Sequence, residues 1–145
     1  MKFNKGFTLI EMLIVIAIIS ILASVFLVGL RGFRGSAYDA RRIQDLQKVQ
    51  SYLELYYGKN RVYPDAPDWN ALRDALVNSG IGIDNIPNDP ISDQTYQYGV
   101  DTTDFQSYVL AATLTPDNAV FKEQTTPTDS IYGVNCGNPV FCVKF

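Results

Sequence analysis

From Met12 to Leu30 the chain carries no charged side chain, a run of 19 residues. Glu11 alone breaks the apolar stretch that begins at Phe7. As a helix, residues 7 to 30 extend roughly 36 Å, enough to cross a hydrocarbon core of about 30 Å. A segment of this kind takes about thirty of the 145 residues. The remainder suffices for one modest core of its own. An ordinary secretory signal fits poorly. Its apolar region is roughly 7–15 residues and ends at a small-residue cleavage site, whereas Ala23 and Ser24 lie inside the run. A plain membrane anchor explains the length and leaves Glu11 without a reason. Near the bilayer centre a carboxylate costs roughly 2.5–3.5 kcal/mol, and less at the edge.

The residues before the run supply the reason. The stretch Lys5-Gly6-Phe7-Thr8-Leu9-Ile10-Glu11 follows a short basic leader and opens an apolar helix. It resembles the prepilin processing site of type IV pilins and of type II secretion pseudopilins. The resemblance covers residues 1 to about 30. It implies that a prepilin peptidase cuts between Gly6 and Phe7, that the new Phe7 amine is methylated, and that the mature chain is 7 to 145. It also implies a cytoplasmic leader at 1–6, a single pass through the cytoplasmic membrane, and a head outside. After extraction from lipid the subunit would stand in an extracellular or periplasmic filament. A count of basic residues leans the other way, with Arg31, Arg34, Arg41 and Arg42 after the span against Lys2 and Lys5 before it.

The expected role of Glu11 is in subunit registration and assembly. In a bundle of such helices its carboxylate can lie beside the Phe7 amine of a neighbour. A buried charge is tolerated when paired, and stranding one partner costs about 3–5 kcal/mol. The pair fixes axial register, because apolar surface alone lets helices slide.

Past the span, Gly29, Gly32 and Gly35 follow at three-residue spacing. They read either as small-residue positions for close helix approach or as a flexible point. Many family members have a proline in the apolar part of the helix, and here no proline precedes Pro64. Helical periodicity then resumes, with Ala40, Ile43, Leu46, Val49 or Gln50, Leu53 and Tyr57 on one stripe. Asp39, Arg41, Arg42, Asp45, Lys48 and Glu54 fill the other side, and Gly58 with Asn60 reads as the stop. A helix from Phe7 to Tyr57 would be roughly 76 Å long.

The spacing then predicts a short helix capped by Asp68, running through Trp69, Leu72, Ala75 and Leu76 to near Gly80. Residues 81 to 93 read as loop. Strands are predicted at Gln94–Val100, Ser107–Leu114, Ala119–Lys122 and Val140–Phe145. The expected fold class is α+β: a long N-terminal helix, transmembrane in its first half, packed on a small antiparallel sheet. The expected division is 1–6 leader, 7–30 membrane or filament-core helix, 31–58 amphipathic helix and 59–145 globular head.

Composition bounds the chemistry. Residues 36 to 145 hold 14 acidic and 8 basic side chains, a net of −6, which argues against a nucleic-acid surface. The chain has no histidine, so the commonest general base and metal ligand are missing. Phosphate loops, dinucleotide glycine motifs and nucleophile elbows are absent from the sequence, and with them any catalytic or cofactor constellation. Asp84, Asp89 and Asp93, and again Asp101 and Asp104, lack the ordered spacing of a calcium loop and read as turn formers rather than as a metal site. Cys136 and Cys142 are too few for a structural zinc site and, in an exported chain, read as a disulfide.

Tyr63-Pro64, the run Pro87-Asn88-Asp89-Pro90, Tyr96-Gln97-Tyr98 and Tyr108-Val109-Leu110 also look like the major pseudopilin and bacterial pilins. After Leu114 the Gly- and Asp-rich calcium run of major pseudopilins is missing, and the C-terminal Cys pair is similar to the disulfide of many pilins. The expected function is a structural subunit of a homo-oligomeric type IV pilus-like filament, not an enzyme. The alternative is a pseudopilin of a secretion or DNA-uptake system, and a non-polymerising membrane-anchored binding module stands behind both. The partners implied are the prepilin peptidase, membrane lipid, and an assembly ATPase with its platform protein.

Overall fold

The structure is a computed structural model that describes residues 8–123 and 130–145, with side chains 25–33, 122 and 123 excepted. The expected leader, Gly6 and Phe7 lie outside the described residues. The chain divides into two units, 1–35 and 36–145.

Helix α1 runs Leu9–Asn60 and belongs to both units. Among the described residues of the first unit, the apolar side chains from Leu9 to Leu22 are exposed. Leu9 is 78% exposed, and even Val15 is 44% exposed. A helix apolar all round is built for an apolar surrounding. Among the described residues no helix is long and apolar enough to cross a membrane. The expected span, 7–30, extends beyond the side chains described at 8–24, so part of that expectation lies outside the described residues.

In the second unit α1 supplies one wall of the core through Leu46, Val49 and Leu53. It runs through Gly58 and stops two residues beyond it, with Arg61 left-handed (φ 65°) and its N–H on the Tyr57 carbonyl. The αL stop is thus made by an arginine, where glycine is the usual choice. Helix α2 (Trp69–Asn78) forms as predicted. The Asp68 side chain accepts from the Ala71 N–H, Trp69, Leu72 and Leu76 are buried, and Gly80 follows at φ 70°.

Strands β1 (Gln97–Val100), β2 (Tyr108–Thr113) and β5 (Val140–Lys144) form an antiparallel sheet in the order β1-β2-β5. The register sets Tyr98 opposite Leu110 and Ala111 opposite Cys142. One face, with Tyr98, Val100, Tyr108, Leu110, Ala112 and Phe141, joins the α1–α2 core. The other face, with Val109, Ala111 and Cys142, packs with Val134 and Cys136. Burial on both faces explains why β2 reads as a nearly continuous apolar run.

The second face is covered by a hairpin the sequence reading did not contain, β3 (Ser130–Ile131) and β4 (Val134–Asn135). Tyr132 and Gly133, both at positive φ, make its two-residue turn in the sense that matches strand twist. A Cβ at Gly99 would collide with the Tyr132 carbonyl oxygen, so glycine lets β1 and the hairpin turn meet. The strand predicted at Ala119–Lys122 is instead a helical turn, α3 (Val120–Glu123). Asn118 turns the chain there: its side-chain oxygen accepts from the Val120 N–H and its carbonyl from the Phe121 N–H. That local competition for backbone donors overrides the apolar alternation. The class is α+β, as the sequence predicts.

Candidate functional site

Two constellations carry the polar chemistry of the chain. The first is at the start of α1. Thr8 precedes the first helical residue, and Glu11 is the third residue of the helix. The Glu11 Oε2 accepts from the Thr8 N–H and from the Thr8 hydroxyl, both at 2.8 Å. In return the Glu11 N–H donates to the Thr8 Oγ1 at 3.3 Å. This reciprocal pattern is a capping box, which satisfies N-terminal N–H groups that have no helical partner. Thr-x-x-Glu before an apolar run is a sequence-level sign of it, and it gives Glu11 a duty within its own subunit. All its atoms belong to residues 8 and 11, so a cut after Gly6 leaves the box intact. Among the described residues the Glu11 Oε1 accepts no bond.

Farther along the same unit, Ser20 and Ser24 hydroxyls donate back to the carbonyls of Ile16 and Ile21, both at 2.7 Å. Hydroxyls in an apolar helix are thereby satisfied inside it.

The second constellation lies in the head. Asp39 and Arg42, which the periodicity assigns to the solvent side of α1, are 1% and 3% exposed. The Arg42 guanidinium grips Asp89 with two parallel bonds, Nε to Oδ2 at 2.7 Å and Nη2 to Oδ1 at 3.0 Å. Its Nη1 reaches Asp39 at 3.2 Å. Asp39 also accepts from the Thr115 N–H, the Thr115 hydroxyl and the Asn118 amide. Burial pushes the Asp39 carboxyl up. The Thr115 hydroxyl, the Asn118 amide, the Thr115 N–H and the Arg42 charge outweigh it and hold the group below its ordinary range. The bond to Asp89 leads the effects that raise Arg42, against the cost of its burial. Two separated segments, at Asp89 and at Thr115 to Asn118, are thus tied to one turn of α1.

Two further carboxylates of α1 are engaged by tyrosine hydroxyls. Asp45 accepts from the Tyr96 hydroxyl at 2.8 Å, and Glu54 from those of Tyr63 and Tyr108 at 3.0 and 3.2 Å. Burial, then the Glu54 bond and charge, push Tyr63 up to about 12. Asp101 and Asp104 each accept from the N–H two residues on, the turn-forming role the sequence suggests. Among the described residues no group of three His, Cys, Asp or Glu side chains is placed to hold a metal ion. Cys136 and Cys142 are joined in a disulfide that ties the end of β4 to β5.

Asp89 in the ion triad was not legible beforehand, since no local spacing relates it to residue 42. The only signal was Asp39 and Arg42 three apart on one helix.

No curated protein and no solved structure is significantly similar to the chain. Residues 1–27 match the model of the prokaryotic N-terminal methylation motif. In proteins that carry it, that motif implies processing by a prepilin peptidase, anchoring in the inner membrane and filament assembly. Residues 1–27 thus carry the N-terminal methylation motif that marks the type IV pilin and pseudopilin superfamily, whose members are structural proteins.

Proposed function

We propose that this chain is a structural subunit of a type IV pilus-like filament, cut between Gly6 and Phe7, methylated on the Phe7 amine, and polymerised through α1. The observation that carries the reading is a helix start on which every apolar side chain from Leu9 to Leu22 is exposed among the described residues, with one carboxylate, Glu11, beside the cleavage motif. Lipid satisfies that surface before assembly, and neighbouring helices satisfy it afterwards. Exchange between two apolar surroundings costs little. Glu11 makes the exchange directional, because only the filament offers its carboxylate a cationic amine. The motor is an assembly ATPase acting through a platform protein in the membrane.

A pilus is favoured over a secretion pseudopilus by the Cys136–Cys142 link at the C-terminal strand, the position of the disulfide in many pilins. Mass spectrometry of the N-terminal peptide should give a chain starting at a methylated Phe7; a start at Ser24 overturns the reading. Electron microscopy of sheared native filaments should show this chain as a component. Glu11→Ala should still be cleaved and inserted, yet give few or no filaments, with Glu11→Asp intermediate.

A further inference from the structure

Arg41, Gln44, Lys48, Ser51 and Leu55 follow one another at alternating steps of three and four residues, so in α1 they share one face. All of them are exposed. The opposite face supplies Leu46, Val49 and Leu53 to the core. None of the exposed set is acidic. Arg41 approaches Asp45 only at 3.8 Å, and its side chain stays 63% exposed. The Asp45 carboxylate is itself taken by the Tyr96 hydroxyl. Lys48 makes no ion pair among the described residues; its ammonium lies 5.9 Å from the centre of the Tyr52 ring. Leu55 adds an apolar side chain, 55% exposed, to the same cationic face.

The rest of the head has the reverse sign. Residues 36 to 145 carry a net charge of −6. The loop between α2 and β1 exposes Asp84 and Asp93, and neither carboxylate has a hydrogen bond or ion pair among the described residues. Arg42 clamps Asp89 of the same loop, which fixes the loop to the head. The signs select the kind of contact two copies can make. A like-on-like contact through α1 would set Arg41 and Lys48 against the same cations. A heterologous contact sets them against the carboxylates of a neighbour, and heterologous contacts repeat without closing, as a filament requires. A nucleic acid or an anionic lipid surface would meet a head of negative net charge, which repels it.

We infer that the outer face of α1 docks on the α2–β1 loop of a second copy of this chain, with Arg41 and Lys48 opposite that copy's Asp84 and Asp93, and Leu55 covered at one end of the contact. The inference rests on the filament reading and adds to it a contact between heads. An exposed pair contributes little alone. Complementary charge fixes orientation and rejects wrong pairings, and in a fibre the same pairs recur at every subunit.

The test uses the full chain in cells that process and assemble it. Arg41→Glu with Lys48→Glu should lower the yield of sheared filaments about tenfold, while an immunoblot still finds cleaved subunit in the membrane. Asp84→Lys with Asp93→Lys should do the same. All four changes together restore both the pairing and the net charge, and should recover most of the yield. The melting temperature of each variant in detergent should stay near that of the parent, because all four side chains are exposed. In filaments of mixed isotope-labelled and unlabelled parent copies, carbodiimide coupling should join the Lys48 amine to Asp84 or Asp93 of a different copy, read by peptide mass spectrometry. Full yield from either double variant, no recovery in the quadruple variant, or coupling of Lys48 only to other carboxylates overturns the contact. So does loss of duplex DNA or anionic vesicle binding by Arg41→Glu with Lys48→Glu while filaments persist. A parent chain that enters no filament sinks the filament reading itself, and this contact with it.

Discussion

Arg42→Met is the most informative change in the head. Methionine keeps much of the apolar stem and removes the guanidinium. Asp39 then still accepts from the Thr115 N–H, the Thr115 hydroxyl and the Asn118 amide. Asp89 keeps only the Ile91 N–H at 2.8 Å, having lost both parallel bonds. Its side chain is 1% exposed, so water does not replace them. Removing one partner of a buried pair costs about 3–5 kcal/mol, which for a head of this size lowers the melting temperature by roughly 10–20 °C. The assay is thermal and urea unfolding of the full chain in detergent, followed by Trp69 emission. The double variant Arg42→Met with Asp89→Asn removes the stranded charge and keeps an acceptor for Ile91. It should recover most of the loss, because a buried pair as a whole adds little net stability. A single variant within about 1 kcal/mol of the parent, or a double variant no better than the single, would refute the reasoning.

Other substitutions test separate parts of the structure. Glu11→Gln preserves the capping box and removes the charge, so processed subunit should accumulate in membranes with sparse filaments; Thr8→Ala should cost the helix start about 1 kcal/mol and still permit filaments, as electron microscopy beside an immunoblot will decide. The Asp39 carboxyl is depressed in the folded state, so its contribution is present above the ordinary carboxylate value of about 4 and is lost as pH falls through the lower folded value. Thr115→Val should raise that lower limit and cost about 1.5–3 kcal/mol, read from the pH dependence of urea midpoints. Opening the Cys136–Cys142 link with serine at both positions should cost about 2 kcal/mol, since the closed loop is short; unfolding of the head at neutral pH measures it. Gly99→Ala should cost about 1–3 kcal/mol and raise amide exchange in the β3–β4 hairpin, because the added methyl meets the Tyr132 carbonyl; unchanged exchange there would contradict the close approach.

Local chemistry determined much of this molecule. The apolar run with Glu11, the stripe at Leu46, Val49 and Leu53, the Asp68 cap and the alternation of Tyr108, Leu110 and Ala112 are each legible because a helix or strand has a fixed period and a cap has a fixed offset. Even the capping box of Thr8 and Glu11 follows from a three-residue spacing. Where several residues compete for the same backbone groups, the periodicity failed, as at Asn118, whose side chain turned an expected strand into a helical turn. The β3–β4 hairpin was missed because two-residue strands are too short to show a period. Only tertiary structure decided the fate of Asp39 and Arg42. On the helix alone they are two charges beside a solvated face, and burial became tolerable because Asp89 and Thr115, 47 and 76 residues away in sequence, arrive with matching charge and donors. A sequence records which groups can pair; the energy that selects the pair comes from the desolvation they share once the chain has folded.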